Sequence, residues 1–380
     1  MPSSILVLTG KDVAELLESP STIRSALESQ SRAFKAYSSS NRQGFIQAPL
    51  RTTLTSNDVT TLVMPARADA KLDLGGIGIK VVSVPNQGNA GLPATTTIFD
   101  ETTGNLRAVI NARALTALRN ACGSTLYLQT IFNDPSDRPK HIVFFGSGAQ
   151  IRAHAALFKT FFPSISSMTI INRRKTDRLD QLGNELRALF TNSKDSKIRA
   201  EVEVDIVLGV NGEEGFDQER VLEKADVIVT ATPSTESLFP SSAIPSREGS
   251  YSGSNDDENI DKKRNKTAIV LIGSYKPHMR EIDADLVNRA LRSGGKITCD
   301  SREACLTEAG ELQDVRPDQT VELGEILNTQ DGRAESVRPD GGEVNIYKSV
   351  GIAVQDVAVA NAMIEAAKGL GVGTVIEDYD

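Results

Sequence analysis

The segment Phe144-Phe-Gly146-Ser-Gly148-Ala-Gln-Ile151 constrains this chain more than any other. An apolar run, His141-Ile-Val-Phe-Phe, feeds into two glycines and then into a helical pattern reaching about Phe161. Gly146 permits the tight turn, and Gly148 lets the backbone approach a pyrophosphate held on the helix's N-terminal amides. Ile151 stands where a third Gly or Ala is usual, and its bulk separates helix from strand. The plain alternative is a strand–turn–helix connection with no ligand. The surroundings favour the nucleotide. Met168-Thr-Ile-Ile, Ala200-Glu-Val-Glu-Val, Val227-Ile-Val-Thr-Ala, Ala268-Ile-Val-Leu-Ile and Lys296-Ile-Thr-Cys each read as a short strand, with a helical pattern from Arg178 to Phe190. Strands alternating with helices imply βαβ units and a mainly parallel sheet, so the expected class is α/β with a Rossmann-type dinucleotide-binding domain.

Cofactor choice is read at the end of the second strand. Asn172 lies 24 positions beyond Gly148 (172 − 148), near the roughly 20 expected for a ribose-contacting residue. An NAD site usually places Asp or Glu there. This chain has Asn172-Arg173-Arg174-Lys175 and no acid. Basic side chains can hold a 2′-phosphate through charge-assisted contacts, so NADP(H) is the expected cofactor and NAD(H) the alternative. A solvated basic loop opening the next helix is the bland reading. Gly369-Leu-Gly-Val-Gly follows a helix rather than a strand and fits helix termination, not a second nucleotide loop.

A chain of 380 residues is long enough for two domains. Before the nucleotide pattern come two helical stretches, Thr9-Gly-Lys-Asp-Val-Ala-Glu-Leu-Leu and Ser21 to Tyr37. Thr60-Thr-Leu-Val-Met, Gly76-Ile-Gly-Ile-Lys-Val-Val-Ser-Val, Ala94-Thr-Thr-Thr-Ile-Phe and Leu106-Arg-Ala-Val-Ile then read as strands of one sheet, and Ala112 to Phe132 as a long helix. At the far end, Val344-Asn-Ile-Tyr-Lys-Ser-Val-Gly is expected to open a helix running through Ala353 and Ala367, followed by a strand at Thr374-Val-Ile-Glu. That tail is expected to return to the first sheet and make the first domain discontinuous. Residues 241–266, polar throughout most of their length, are expected to be a disordered insertion, with a regulatory or docking loop as the alternative.

Composition narrows the function. Hydrophobic residues at 39% and charged residues at 24% are those of a globular chain. The net charge of −8, without a long basic run, argues against nucleic acid and anionic membrane surfaces as partners. Three cysteines and three histidines without zinc-ligand spacing give no metal site and no disulfide framework. No apolar run reaches the roughly 18 residues that span a bilayer. The start, Met1-Pro-Ser-Ser, does not read as a signal peptide, so the expected location is cytoplasmic.

Three basic residues stand out. Lys80 sits within the apolar strand Gly76-Ile-Gly-Ile-Lys-Val-Val. It either faces water from an edge strand or faces an active-site cleft, where desolvation depresses its pKa into a catalytic range. Arg51, in Ala48-Pro-Leu-Arg-Thr-Thr, and Arg119, in Leu115-Thr-Ala-Leu-Arg-Asn-Ala, suit a substrate carboxylate if they converge, and are otherwise surface or structural arginines.

Taken together, the fragments resemble the ornithine cyclodeaminase/mu-crystallin family. They are Ala48-Pro-Leu-Arg51-Thr, Gly78-Ile-Lys80-Val-Val, Gly91-Leu-Pro, Leu115-Thr-Ala-Leu-Arg119, Gly146-Ser-Gly-Ala-Gln, Ala225-Asp-Val-Ile-Val-Thr-Ala-Thr-Pro233-Ser, the run from Gly273 to Asp283, and Lys348-Ser-Val-Gly351-Ile-Ala-Val-Gln-Asp356. They run in order over most of the chain. The resemblance implies a discontinuous α+β substrate-binding and dimerisation domain (1–130 and 326–380), a dinucleotide domain (131–325), and a homodimer formed through the first domain's sheet. It implies that Arg51, Lys80 and Arg119 hold the substrate carboxylate and that Lys80 also moves a proton. It implies that Gly146, Gly148, Ala149 and Gln150 cradle the pyrophosphate, with Thr232, Pro233, Ser349 and Gly351 near the cofactor.

The family's cyclodeaminases use an Asp just after a Gly-Gly pair. Here the stretch is Gly273-Ser-Tyr-Lys-Pro277, with Tyr275 at the position of that Asp. The missing carboxylate and the missing ribose acid resemble the reductase and dehydrogenase branch. The expected function is therefore an NAD(P)H-dependent oxidoreductase acting on a C–N bond of a small cyclic ketimine carboxylate. The alternatives are an ornithine cyclodeaminase, an amino-acid dehydrogenase of the same family, and a low-turnover NADPH- or ligand-binding protein.

Overall fold

A computed structural model describes residues 4–39, 42–85, 92–192, 203–245, 267–330 and 344–379. The chain divides into two compact units. The first comprises Met1–Gly123, Leu323–Ala334 and Gly351–Asp380, and the second comprises Ser124–Glu322 and Glu335–Val350.

The first unit opens with β1 (Ile5–Leu8), α1 (Gly10–Leu16), α2 (Pro20–Tyr37) and α3 (Arg42–Phe45). Its strands continue as β2 (Ile46–Gln47), β3 (Thr52–Thr55), β4 (Val59–Ala68), β5 (Gly76–Pro85), β6 (Ala94–Phe99) and β7 (Leu106–Asn111), and α4 (Arg113–Ile131) crosses the boundary. The second unit holds β8 (His141–Phe145), α5 (Ala149–Phe161), β9 (Ser167–Asn172), α6 (Asp177–Asn192), β10 (Asp205–Val210), α7 (Gln218–Glu223) and β11 (Val227–Thr230). It goes on through β12 (Ala268–Leu271), α8 (Ala284–Leu291), β13 (Ile297–Cys299), α9 (Arg302–Glu308) and β14 (Thr320–Glu322). After these, α10 (Leu323–Gln330) lies in the first unit, β15 (Asn345–Lys348) in the second, and α11 (Ala353–Leu370) and β16 (Thr374–Ile376) in the first.

The first unit's sheet has the order β16-β1-β7-β6-β5-β4-β2, with β3 also paired to β4. Along β4 the buried residues are alternate ones, Thr60, Leu62, Met64, Ala66 and Ala68. That period of two marks a sheet with one packed face and one open face. The packed face receives α11, which touches β4, β5 and β6 and is covered on its other side by α2. A helix enclosed this way needs apolar residues all round, which explains the run of Ala and Val in α11. α1 starts where expected, because Thr9 and Asp12 form a reciprocal capping box. Gly371, in a left-handed conformation, terminates α11, so the glycines there serve helix ending as read from the sequence.

The second unit's sheet has the order β10-β9-β8-β11-β12-β15-β13-β14 and every pairing in it is parallel. β8 stands where the winding reverses, with β9 and β10 on one side and β11 and β12 on the other. In an open α/β sheet that reversal places a ligand crevice at the carboxyl ends of the strands.

Several expectations need correction. β1 was not anticipated: four residues ahead of a helix are too few to show a period. The strand expected at 200–204 lies at 205–210. Asn345–Lys348 is a strand, not the start of the terminal helix, and all four residues are buried between β12 and β13. The terminal helix begins only at Ala353. Among the described residues, 344–350 consequently fall in the second unit, within the block of 326–380 expected for the first domain. Of the insertion expected at 241–266, residues 246–266 lie outside the described residues. Residues 241–245 are packed, because buried Arg289 donates to the carbonyls of Ser241, Ile244 and Pro245. Among the described residues, no helix is long and apolar enough to cross a membrane.

Candidate active site

In the first unit, Lys80 lies on β5 between Met64 of β4 and Thr96 of β6. β5 is an interior strand, and Lys80 faces the packed side at 1% exposure, so the water-facing edge reading is overturned. Its ammonium donates to Asp356 Oδ1 at 3.1 Å. Arg119 Nε forms an ion pair with the same oxygen at 3.3 Å. Arg119 also donates to Gln355 Oε1 at 2.8 Å, and that oxygen accepts the Ile352 amide at 3.1 Å. Arg51 donates to the Gly351 carbonyl at 3.1 Å. Gly351 has φ +84, and a Cβ there would collide with the Arg119 guanidinium. No other residue fits that turn without displacing Arg119.

The electrostatics follow from this packing. Lys80 and Arg119 share one carboxylate, Asp356, and Arg51 adds a further positive charge that acts on the lysine. Asp356 is 3% exposed and its Oδ2 takes no hydrogen bond among the described residues. Burial pulls the Lys80 pKa down from its ordinary value to about 8. The Asp356 charge opposes that fall, and Arg119 and Arg51 add to it. The arrangement can bind an anion and, near neutral pH, give or take a proton.

In the second unit, β8 delivers Gly146 into the turn with φ +112. A Cβ on Gly146 would lie 3.1 Å from the Ala231 carbonyl at the end of β11, so this turn abuts the next loop. Gly148 caps α5 without a side chain, and Ala149 and Gln150 form the first turn. The N-terminal amides of α5 are therefore open to an anion, the geometry a pyrophosphate requires. Ile151 is fully buried, so its bulk is absorbed in the core and leaves the turn intact. Asn172, at the end of β9, donates to Ser147 Oγ at 3.4 Å and ties that strand end to the glycine turn. Arg173 and Arg174 are exposed beside it.

Thr232 and Pro233 follow β11, and Glu281 holds them in place. Its Oε1 accepts the Thr232 amide at 2.8 Å and hydroxyl at 3.1 Å. Its Oε2 accepts the amides of Gly273 at 2.7 Å and Ser274 at 3.3 Å. Burial raises the Glu281 pKa, with Lys348 opposing the rise. Lys348 pairs with Glu311 at 3.0 Å, both side chains fully buried. Ser349 donates to Asp300 at 2.7 Å. Ser349 thus belongs to the second unit and Gly351 to the first.

Asp356, Gln355 and Glu281 have roles the sequence reading did not assign. The signal for Asp356 was a lone acid in an Ala- and Val-rich helix. Cavity size is a poor guide here. A cleft of about 930 Å³ beside Phe216 and Phe239 and one of about 700 Å³ beside Arg32 and Arg107 take in neither Lys80 nor Gly146. The charge arrangement and the glycine turn mark the site instead.

The chain is 27% identical over 314 residues to an uncharacterized cyclodeaminase of Dictyostelium discoideum, covering 80% of this chain and 79% of that one. It is 26% identical over 343 residues to a Delta(1)-pyrroline-2-carboxylate reductase of Bacillus cereus, covering 87% and 89%. Among solved structures, the Thermococcus litoralis Delta(1)-pyrroline-2-carboxylate reductase in complex with NADH and L-proline has a TM-score of 0.73. It is 22% identical and covers 97% of this chain and 99% of its own, a likeness of fold. The family match itself runs over residues 7–370, nearly the whole chain, and on it this protein belongs to the ornithine cyclodeaminase/mu-crystallin family.

Proposed function

We propose that the protein is a nicotinamide-dependent oxidoreductase that reduces a small cyclic ketimine carboxylate, of the pyrroline-2-carboxylate or piperideine-2-carboxylate type, to the cyclic amino acid. The observation that carries this reading is the buried pairing of Lys80 and Arg119 with Asp356, with half-buried Arg51 acting on the same lysine. A carboxylate bound there meets two guanidiniums able to make planar, paired contacts. Lys80, held near a pKa of about 8, then has a proton to give at neutral pH. A reduced nicotinamide cofactor, which the glycine turn at Gly146 and Gly148 would hold, would supply the hydride taken up by the imine carbon. The C=N π pair moves onto nitrogen, which takes a proton from Lys80 Nζ, and the neutral lysine is reprotonated from water.

For the cofactor, Gly146, Gly148, Ala149 and Gln150 are assigned to the pyrophosphate, and Thr232 and Pro233 to the crevice beside it. Asn172, Arg173 and Arg174 are assigned to the ribose and its 2′-phosphate. Two exposed guanidiniums with no acid support NADP(H) over NAD(H). Ser349 and Gly351 act at one remove, Ser349 through Asp300 and Gly351 by shaping the turn under Arg119. The family resemblance and the open face of the first unit's sheet support a homodimer.

The test is oxidation of NADPH and of NADH by purified protein given Δ1-pyrroline-2-carboxylate or Δ1-piperideine-2-carboxylate. Turnover is expected with both substrates, with kcat/KM at least about tenfold higher for NADPH, the size of one charge-assisted contact. An Arg173→Ala/Arg174→Ala variant should lose that preference and keep its NADH rate. Absence of oxidation with either cofactor would overturn the reading. Ammonia and proline formed from ornithine would then establish the cyclodeaminase activity that the name of the Dictyostelium relative carries.

A further inference from the structure

We propose that Asp356 is a positioning residue of the reaction, holding Lys80 fixed and protonated between two arginines so that it can serve as the proton donor. The inference rests on the imine-reductase reading, because it assigns Asp356 a part in the same proton transfer.

Three observations carry it. Asp356 Oδ1 is shared, accepting from Lys80 Nζ at 3.1 Å while ion-paired to Arg119 Nε at 3.3 Å. All three side chains are almost fully buried, so their interactions are little screened by solvent. A lysine 1% exposed and flanked by Arg119 and Arg51 would otherwise discharge, since burial and both guanidiniums favour the neutral amine. In register with Lys80 stand Met64 on β4 and Thr96 on β6, neither of them charged. The charged groups facing the ammonium from α11, α4 and the segment before β3 are Asp356, Arg119 and Arg51. Among the described residues, Asp356 is thus the acid that opposes discharge.

The carboxylate is itself anchored. α11 places it one residue after Gln355, whose side chain accepts from Arg119 and whose carbonyl accepts from Gln30 Nε2 at 2.8 Å. Asp356 Oδ2 stays unbonded among the described residues. One oxygen therefore does the orienting, and it orients the lysine and an arginine together. This couples substrate grip to proton supply: a shift of α11 would loosen both.

The experiment compares the parent with Asp356→Asn and Asp356→Glu. Two quantities are read: kcat/KM for imine reduction from pH 6 to 10, and the titration of Lys80 by the NMR shift of its 13C-labelled ε-carbon, with Lys80→Arg for assignment. The second reading needs no substrate. Asp356→Asn should lower the Lys80 midpoint from about 8 by at least about one unit. The alkaline limb of kcat/KM should move down with it. The rate should be depressed at least about fivefold at pH 8 and approach the parent's at pH 6. Asp356→Glu should restore the midpoint to within about half a unit while keeping a reduced kcat. NADPH affinity serves as the folding control and should stay unchanged in both variants.

An unmoved Lys80 midpoint in Asp356→Asn, or a rate lowered equally at every pH, overturns the proposal in favour of a merely structural pair. Should Asp356→Asn fail to fold, Asp356→Glu decides, since an unrestored midpoint in a folded protein is equally fatal. If the parent turns over no imine while the midpoint moves as stated, the reductase reading fails and the Lys80–Asp356 coupling stands.

Discussion

Lys80 is the proton donor in the proposed reaction, and its pKa gives the first prediction a sign. Burial brings the pKa to about 8, below an ordinary lysine, so the ammonium is present below that pH and lost above it. Imine reduction consumes a proton from the ammonium, so kcat/KM for reduction should fall as pH rises through about 8. Oxidation of the cyclic amino acid needs the neutral amine as base, so its rate should rise through the same pH. Lys80→Ala should lower kcat by roughly 10²–10⁴, the range for a positioned acid. Lys80→Arg keeps the charge but holds its proton too tightly to donate it. It should therefore bind substrate with a near-parent KM and still lose turnover. Parallel pH–rate profiles for the two directions, or a Lys80→Ala enzyme with kcat near the parent's, would remove Lys80 from the proton transfer.

At the level of elements, the β8–turn–α5 unit was the most legible part of the sequence, because its local signals agree. An apolar strand, two glycines and a helical period all point one way, and the structure has β8, Gly146 at positive φ and α5 in that order. α1 was legible for the same reason, through Thr9 and Asp12. β15 was not: Asn345-Ile-Tyr-Lys is buried on both faces, so it lacks the alternation that marks a half-exposed strand. Lys80, Arg51 and Arg119 could be singled out as residues, but the meeting of Lys80 and Arg119 at Asp356, and of Arg51 with Gly351, could not. The partners lie 276 positions apart for Lys80 and 300 apart for Arg51 and Gly351, beyond any local pattern.

The α4–α5 packing yields a prediction of its own. His154, fully buried on α5, donates from Nδ1 to the Gln150 carbonyl at 2.7 Å, since a carbonyl can only accept. Its Nε2, 2.9 Å from Ser124 Oγ on α4, must then accept. Burial lowers its pKa from 6.5 to about 4. The unfolded chain takes up a proton below pH 6.5 that the folded one refuses until about pH 4, so this contribution to stability is whole above pH 6.5 and lost on the way down. The shift corresponds to roughly 3 kcal/mol. Urea unfolding at pH 6.5 and pH 4 should show the parent losing about that much more than His154→Leu. Equal losses would mean His154 is protonated in the fold.

At the scale of the whole molecule, the open face of the first unit's sheet has to be explained. On it Val81 stands beside Val63 and Thr95, Ile79 beside Pro65 and Thr97, and Ile77 between Arg67 and Phe99. Val81 is 39% exposed, Ile77 37% and Leu54 on β3 59%. A sheet face with several exposed large apolar residues among polar ones marks an association surface more often than a free one. Each copy carries a net charge of −8, so two copies repel. At physiological ionic strength the Debye length is about 8 Å, and that repulsion is largely screened. A stable dimer would bury about 800 Å² on each partner, worth far more than the screened repulsion. Light scattering coupled to size exclusion should therefore report twice the chain mass of 40.8 kDa. An Ile77→Lys/Val81→Lys variant should elute as a monomer, because it sets four ammonium groups in the middle of a two-fold interface. Added salt should tighten the parent dimer rather than loosen it, since its effect is to screen charge and leave apolar contact intact. A monomeric parent at micromolar concentration, or a dimer that the double variant leaves whole, would move the association surface off this sheet.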